Sequence, residues 1–262
     1  DILIQSQLNG VWFFEHFGNE IPLPIDEDLT TGNLYFSLAG HAPHTTSPEL
    51  FRELKRKSFG KPFSIHVAES DLEMEFIKHA KGSWADFLVS REVDFSKWGL
   101  PQKSPVKHLD HIGILDKQTL IVHLLHCDDS DLSILKNRQC SVCICPRSNH
   151  NLHKRLPNIE DMIKKGLNVC LGTDSLASVN SLSIWDEMKY IWANYPNLSP
   201  KRILSMATSA GAMALGCGHQ LGRIEPGYRA CLLYVPVDSS NDENIAHHLV
   251  AADTVEKHLS LL

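Results

Sequence analysis

Several things are scarce in this chain of 262 residues, and each scarcity closes a door. No apolar run reaches membrane-spanning length and no secretory signal pattern is present, so the expectation is a cytoplasmic protein with no membrane partner. Basic charge is short as well. Lys and Arg number 25 against 31 Asp and Glu, a net charge of −6, which argues against a nucleic-acid polymer as partner. The densest basic run, Arg52 to Lys61, is interrupted by Glu53 and reads as the solvated face of a helix. The cysteines are seven, an odd and scattered set lying mostly inside apolar runs, as buried reduced thiols do. Cys140-x-x-Cys143-x-Cys145 lacks a second pair at zinc-ribbon spacing and reads as a strand. No Gly-x-Ser-x-Gly elbow occurs, which excludes the common serine-hydrolase arrangement. Gly216-Cys-Gly218 with Gly222 has neither the spacing nor the preceding strand of a dinucleotide-binding turn.

What is present is an ordinary globular composition, 43% hydrophobic and 21% charged, long enough for one α/β barrel or two smaller domains. The most informative stretch is Ser64-Ile-His-Val-Ala-Glu-Ser70. Phe63, Ile65 and Val67 alternate with Ser64 and His66, the period-2 pattern of a strand with two unlike faces. His66 then turns away from the apolar layer, and Glu69 follows where the strand gives way to a loop. A histidine and a carboxylate so placed can hold a metal and move protons beside it. Taken alone, the pair also fits a strand histidine followed by a solvated loop glutamate.

The rest of the chain repeats the pattern. Short apolar runs at Val11–Phe14, Leu34–Ala39, Leu120–His126, Ser141–Cys145 and Leu167–Leu171 read as strands. Between them lie helical patterns at Pro48 onward (Ser47 as N-cap), Asp71–His79, Val106–Leu115, Asp128–Leu135 and Ile159–Lys165, with a helix start in 26–31. Helices follow at Ile184–Ala193 and Pro200–Leu215, and 82–105 reads as a long loop with short helical pieces. Apolar strands alternating with helices predict a parallel sheet covered by helices. Polar residues gather at the strands' carboxyl ends: His41, His66 with Glu69, His123 with His126, Asn149 and Asp174. That distribution over several strands favours a TIM-type (β/α)8 barrel over a doubly wound sheet.

His66-Val-Ala-Glu69, His123-x-x-His126, Pro146-x-Ser-Asn149, Gly172-Thr-Asp174 with Ser178, and Gly222-Arg-Ile-Glu-Pro-Gly227 occur in an order and spacing that resembles the amidohydrolase superfamily. The branch it resembles contains chlorohydrolases and adenosine-type deaminases, and the likeness runs from His41 to Ala230. The resemblance implies hydrolytic deamination of an aminated purine or nucleoside with one divalent metal ion, Zn or Fe. It implies His66 and Asp174 as metal ligands, Glu69 as proton shuttle, His123 as stabiliser of the reacting group and His41 as a substrate contact, with Glu69 and His123 also touching substrate and Asp174 acting in catalysis. It further implies a barrel over 1–222 whose first strands are missing, and a remnant of a flanking β-domain with a C-terminal helix over 223–262. The chain departs from the family pattern in having no His-x-His, and Cys231 stands where an Asp is usual. Asp1 in place of Met is what an incomplete or processed chain would show. Chloride removal or cyclic-amide cleavage on the same site stays open, as does a metal-free, non-catalytic fragment; a homo-oligomer is compatible with all of these.

The residues also keep plainer readings. Asp174 fits a turn whose carboxylate caps a helix. His126, at an odd offset from His123 in one strand, would face the other way and pack. His44, His150 and His153 read as loop histidines, solvated or in contact with substrate, and Asn149 as a brace for its loop. Trp84, Phe87 and Trp98 suit core packing better than a ring-covering lid.

Overall fold

A computed structural model describes residues 10–20, 34–235, 242–251 and 260–261, so the expected helix start in 26–31 lies outside the described residues. The chain divides into two compact units, Asp1–Val142 and Cys143–Leu262. In the first, β1 (Gly10–His16) and β2 (Leu34–Gly40) pair in parallel over their whole length, followed by α1 (Pro48–Lys57) and β3 (Phe63–Val67). Helices α2 (Asp71–His79), α3 (Ser83–Ser90) and α4 (Pro105–His111) lead to β4 (Thr119–His123), and α5 (Asp129–Asn137) completes the unit. Neighbours in the sheet are neighbours in the chain, β1-β2-β3-β4, all parallel, with Val67 opposite His123. Parallel neighbours need long crossovers, and the helices supply them.

The local reasons are visible in the sequence. In β3, Phe63, Ile65 and Val67 are fully buried while Ser64 and His66 are not, as alternation predicts. Ser47 accepts a hydrogen bond from Leu50 N and Pro48 fills the first turn, which starts α1. Leu50, Phe51 and Leu54 face inward along α1, each burial contributing about 1.5–3 kcal/mol. The last residue of β2 is a glycine because a side chain there would meet the Phe51 ring at 2.3 Å. A second core gathers Phe76, Ile77, Ala85, Leu88 and Trp98, with Trp84 packed against it. Trp98 and Trp84 thus follow the core reading. Phe87 does not: it is 45% exposed, with the Arg91 guanidinium over its ring.

Strand β5 (Ser141–Ile144) runs through the division, and the second unit continues with α6 (Pro146–His153), α7 (Ile159–Lys164) and β6 (Asn168–Leu171). Gly172 N donates to Ile144 O at 2.9 Å. Then come α8 (Ile184–Asn194), α9 (Pro200–Ala207), α10 (Ser209–Ala214), β7 (Leu233–Tyr234), α11 (Asp242–Ala251) and β8 (Ser260–Leu261), the last strand pairing antiparallel with β7. The expected single helix over Pro200–Leu215 is broken at Thr208, whose φ of −127° and ψ of −91° are not helical. None of the seven cysteines is in a disulfide. Among the described residues no helix is long and apolar enough to cross a membrane.

Candidate active site

The first unit brings its strand ends together through the backbone. His41 N donates to His16 O at 2.8 Å, His66 N to His41 O at 2.9 Å, and Leu124 N to Val67 O at 3.0 Å. The chain then leaves two of these strands in the left-handed region, with φ of +54° at Ala68, +74° at His123 and +52° at Leu124. Such angles cost non-glycine residues free energy and persist where the surroundings impose them. Strand β4 therefore ends at His123. His126 is not in the strand as expected; its N donates to Ala68 O and its Nδ1 lies 3.6 Å from Asp71 Oδ1.

Four side chains line up across these ends. His66 Nε2 lies 3.2 Å from Glu15 Oε1, and His66 Nδ1 lies 3.1 Å from His123 Nε2. An ionised Glu15 only accepts, so the proton of that contact sits on His66 Nε2. The imidazoles of His66 and His123 stack with centroids 5.2 Å apart. On the far side of His123, Glu69 Oε2 lies 3.5 Å from Nε2. The hydrogen bond from His66 is the main cause that holds the Glu15 carboxyl below the usual range, against the opposing effect of burial. His123 is only 2% exposed, so its imidazole works in a largely water-excluded place.

His41 joins the group from the end of β2, its ring 5.4 Å from His66 and its Nδ1 2.6 Å from Thr45 Oγ1. Burial lowers the pKa of His41. His44 is buried rather than solvated. Burial pushes its pKa down to about 3, and the ring packs 4.3 Å from Trp84.

In the second unit, Asp174 follows β6 with φ of +61°, a conformation Asp tolerates better than most. Its Oδ2 accepts from Ser148 Oγ at 2.5 Å and from Ser178 Oγ at 2.9 Å. Among the described residues Asp174 is not the N-cap of a helix; the next one, α8, has Ser183 in that place. Gly172 leaves room for thiols, since a side chain there would meet Cys143 Sγ at 2.7 Å. Pro146 to Asn149, expected as a loop, opens α6. Ser148 and Asn149 are fully buried there, and His150 and His153 lie on that helix rather than on loops. A shallow cavity of about 500 Å³ beside Ser178 is lined by Arg147, Asn151, Leu176, Asn180 and Tyr190.

Against these geometries the comparisons are decisive for kinship. The pattern that defines the amidohydrolase family matches residues 22–255. The chain belongs to the amidohydrolase family. A relative within it is the 5-methylthioadenosine/S-adenosylhomocysteine deaminase of Thermoanaerobacter pseudethanolicus, 33% identical over 216 residues, which are 79% of this chain and 46% of that protein. Another is the aminodeoxyfutalosine deaminase of Deinococcus radiodurans, 30% identical over 237 residues, 82% of this chain and 56% of the relative. The crystal structure of Helicobacter pylori aminofutalosine deaminase in complex with methylthio-coformycin superposes with a TM-score of 0.82 at 26% identity, covering 99% of this chain and 67% of that one. The chain spans about half the length of the relatives it matches. The fold class is that of the family's (β/α)8 barrels, here with six parallel strands among the described residues.

Amidohydrolases of this kind are metal enzymes, and the donors on this chain suit a divalent ion in type: the imidazole of His66 and the carboxylate of Asp174 are ligands zinc accepts. Among the described residues no group of three or more His, Cys, Asp or Glu side chains is arranged to hold an ion. Sequence reading missed Glu15 and Glu73. Glu15 sits at the carboxyl end of β1, where the rule used for the other strands would have found it. Glu73 carried a signal too, in Ser70-x-x-Glu73 before an apolar helix face.

Proposed function

We propose that this chain is the core of a metal-dependent hydrolase that deaminates an adenine-type nucleoside. The observation that carries the reading is the approach of Glu69 Oε2 to His123 Nε2, 3.5 Å, beside His66 at the ends of adjacent parallel strands. The names of the relatives, deaminases of 5-methylthioadenosine, S-adenosylhomocysteine and aminodeoxyfutalosine, support the substrate class. Residues 1–222 are read as barrel and 223–262 as what accompanies it from the flanking domain.

His66 and Asp174 would hold the ion, Zn or Fe. The chemistry such an ion supplies when bound is a nucleophilic water at neutral pH. Everything else falls to side chains of this chain. Asp174 Oδ2 accepts from two hydroxyl donors, which fix the carboxylate for that role. Glu69 takes one proton from the attacking water and delivers it to a ring nitrogen, then passes the remaining hydroxyl proton to the amino group, which departs as ammonia, a task that contributes roughly 10²–10⁴-fold. His123, held by the His66–Glu15 pair, donates to the group on which negative charge builds. His41, kept neutral by burial and tied to Thr45, contacts the substrate.

The test is ammonia release from S-adenosylhomocysteine, 5-methylthioadenosine and adenosine by the metal-loaded protein. Glu69→Gln should keep its metal and lose kcat by roughly 10²–10⁴-fold. Release of chloride or ring-opened amide with no ammonia from any nucleoside, or undiminished turnover in Glu69→Gln, overturns the reading.

A further inference from the structure

Helix α2 begins with the signature of a capping box, Ser70-x-x-Glu73, yet it does not form one. Ser70 Oγ accepts from Glu73 N as expected, but the Glu73 carboxylate reaches past Ser70. Its Oε1 accepts from Ala68 N and its Oε2 from Glu69 N, both at 2.8 Å. The contrast lies within the same unit. At the start of α5, Asp128 and Asp131 close the ordinary reciprocal box, with Asp131 Oδ2 accepting from Asp128 N at 3.1 Å. At α2 the helix gives up that closure, and a fully buried carboxylate grips the two residues before the cap.

Those two residues form the turn that carries Glu69. Ala68 has φ of +54°, and this left-handed step swings the chain from the end of β3 into the position from which Glu69 reaches His123. Two N–H groups aim at two oxygens of one side chain, so the turn is clamped at both residues. His44 Nδ1 lies 3.9 Å from Glu73 Oε2 and closes the other side of the pocket. From this we infer that Glu73 is the positioning residue for Glu69: it fixes the backbone of the turn and through it the carboxylate that moves the proton. The inference rests on the role given to Glu69 above, but its geometry stands apart from any substrate. An amide cannot replace Glu73. Gln offers one oxygen, and its NH₂ would face the second N–H.

The experiment is a double-mutant cycle on the metal-loaded protein with an adenine nucleoside, joined to amide hydrogen exchange. Glu73→Gln should lower kcat on the order of 10²-fold with KM little changed, the cost of a misplaced catalytic group. In the Glu69→Gln background the same substitution should change kcat by less than about twofold, because nothing remains to be positioned. A further loss there comparable to that in the wild-type background would overturn the inference in favour of a general structural role. Exchange at the Ala68 and Glu69 amides should accelerate about tenfold or more in Glu73→Gln, with Ile65 and Val67 unaffected. Unchanged exchange at both turn amides overturns the inference whatever reaction the protein performs. Absence of deamination in the wild type overturns only the functional reading, and the exchange result then decides. Should Glu73→Gln not fold, Glu73→Asp, which keeps the charge but withdraws it by one methylene, goes through the same measurements with the same expected outcomes.

Discussion

Two hydroxyls on one carboxylate oxygen are an uncommon expense for a residue that only has to close a turn. Ser148 Oγ comes from a fully buried position on α6 and Ser178 Oγ from the partly open loop after β6, and both donate to Asp174 Oδ2. A hydrogen bond to a charged group in such a place contributes about 1.5–3 kcal/mol. Ser148→Ala should therefore lower unfolding stability by an amount in that range, and Ser178→Ala by less, since water can replace the hydroxyl there. Urea melts of the two variants compare them directly; equal and negligible losses would mean that these hydroxyls do not hold the carboxylate. Both serines stood in motifs that the sequence made plain, Pro146-x-Ser-Asn149 and Gly172-Thr-Asp174 with Ser178. Their meeting on one oxygen was not legible, because two motifs separated by a strand carry no sign of which atoms approach. Glu15 was hidden for a different reason. Its strand, Gly10–His16, runs on past the apolar run Val11–Phe14 through Glu15 and His16, and a glutamate past the last apolar residue reads as loop.

At the scale of elements, apolar runs were dependable and polar helices were not. Strand β3 stands where alternation and β-branched residues put it, whereas β4 ends at His123, three residues short of the run Leu120–His126. The segment that forms α6 reads as a loop because Pro-Arg-Ser-Asn-His-Asn has little helix propensity, and its helix is held by burial of Pro146, Ser148 and Asn149. The helix after Ser199 stops early because Thr208 Oγ1 bonds back to Leu204 O, competing with the continuing ladder. Helix α4 also ends sooner than its apolar pattern, at the left-handed Gly113 just beyond it. That helix buries His108 completely, and neither ring nitrogen has a hydrogen-bond partner among the described residues. Burial, reinforced by His111 and Arg52, pushes its pKa down to about 4, below the ordinary value near 6.5. The unfolded chain therefore takes up the proton first. The stability that His108 contributes is present above pH 6.5 and is lost as the pH falls from there toward 4, by about 3 kcal/mol at most. His108→Leu removes this loss, so its stability advantage over the wild type should widen steadily through that window. Urea melts at stepped pH read the difference; parallel curves for the two proteins would refute it.

For the whole molecule the sequence was informative about kinship and silent about completeness of the site. Strand order that follows chain order, helices between the strands, and polar residues at the carboxyl ends are enough to point to a barrel, because each is a consequence of parallel pairing. The ion is harder, since coordination depends on side chains distant in sequence, and one carboxylate and one imidazole are fewer donors than zinc takes. The proposal that His66 and Asp174 share a cation makes a sharp prediction for the purified protein. Metal analysis should find about one divalent ion per chain, and added Zn²⁺ should raise the melting temperature, with stabilisation of about 2.7 kcal/mol at a hundredfold excess over Kd. His66→Ala and Asp174→Ala should each abolish the bound ion and the thermal response. If one substitution removes the ion while the other leaves it in place, the two residues do not serve a common cation, and the acid–base pair of Glu69 and His123 would have to work beside a different nucleophile.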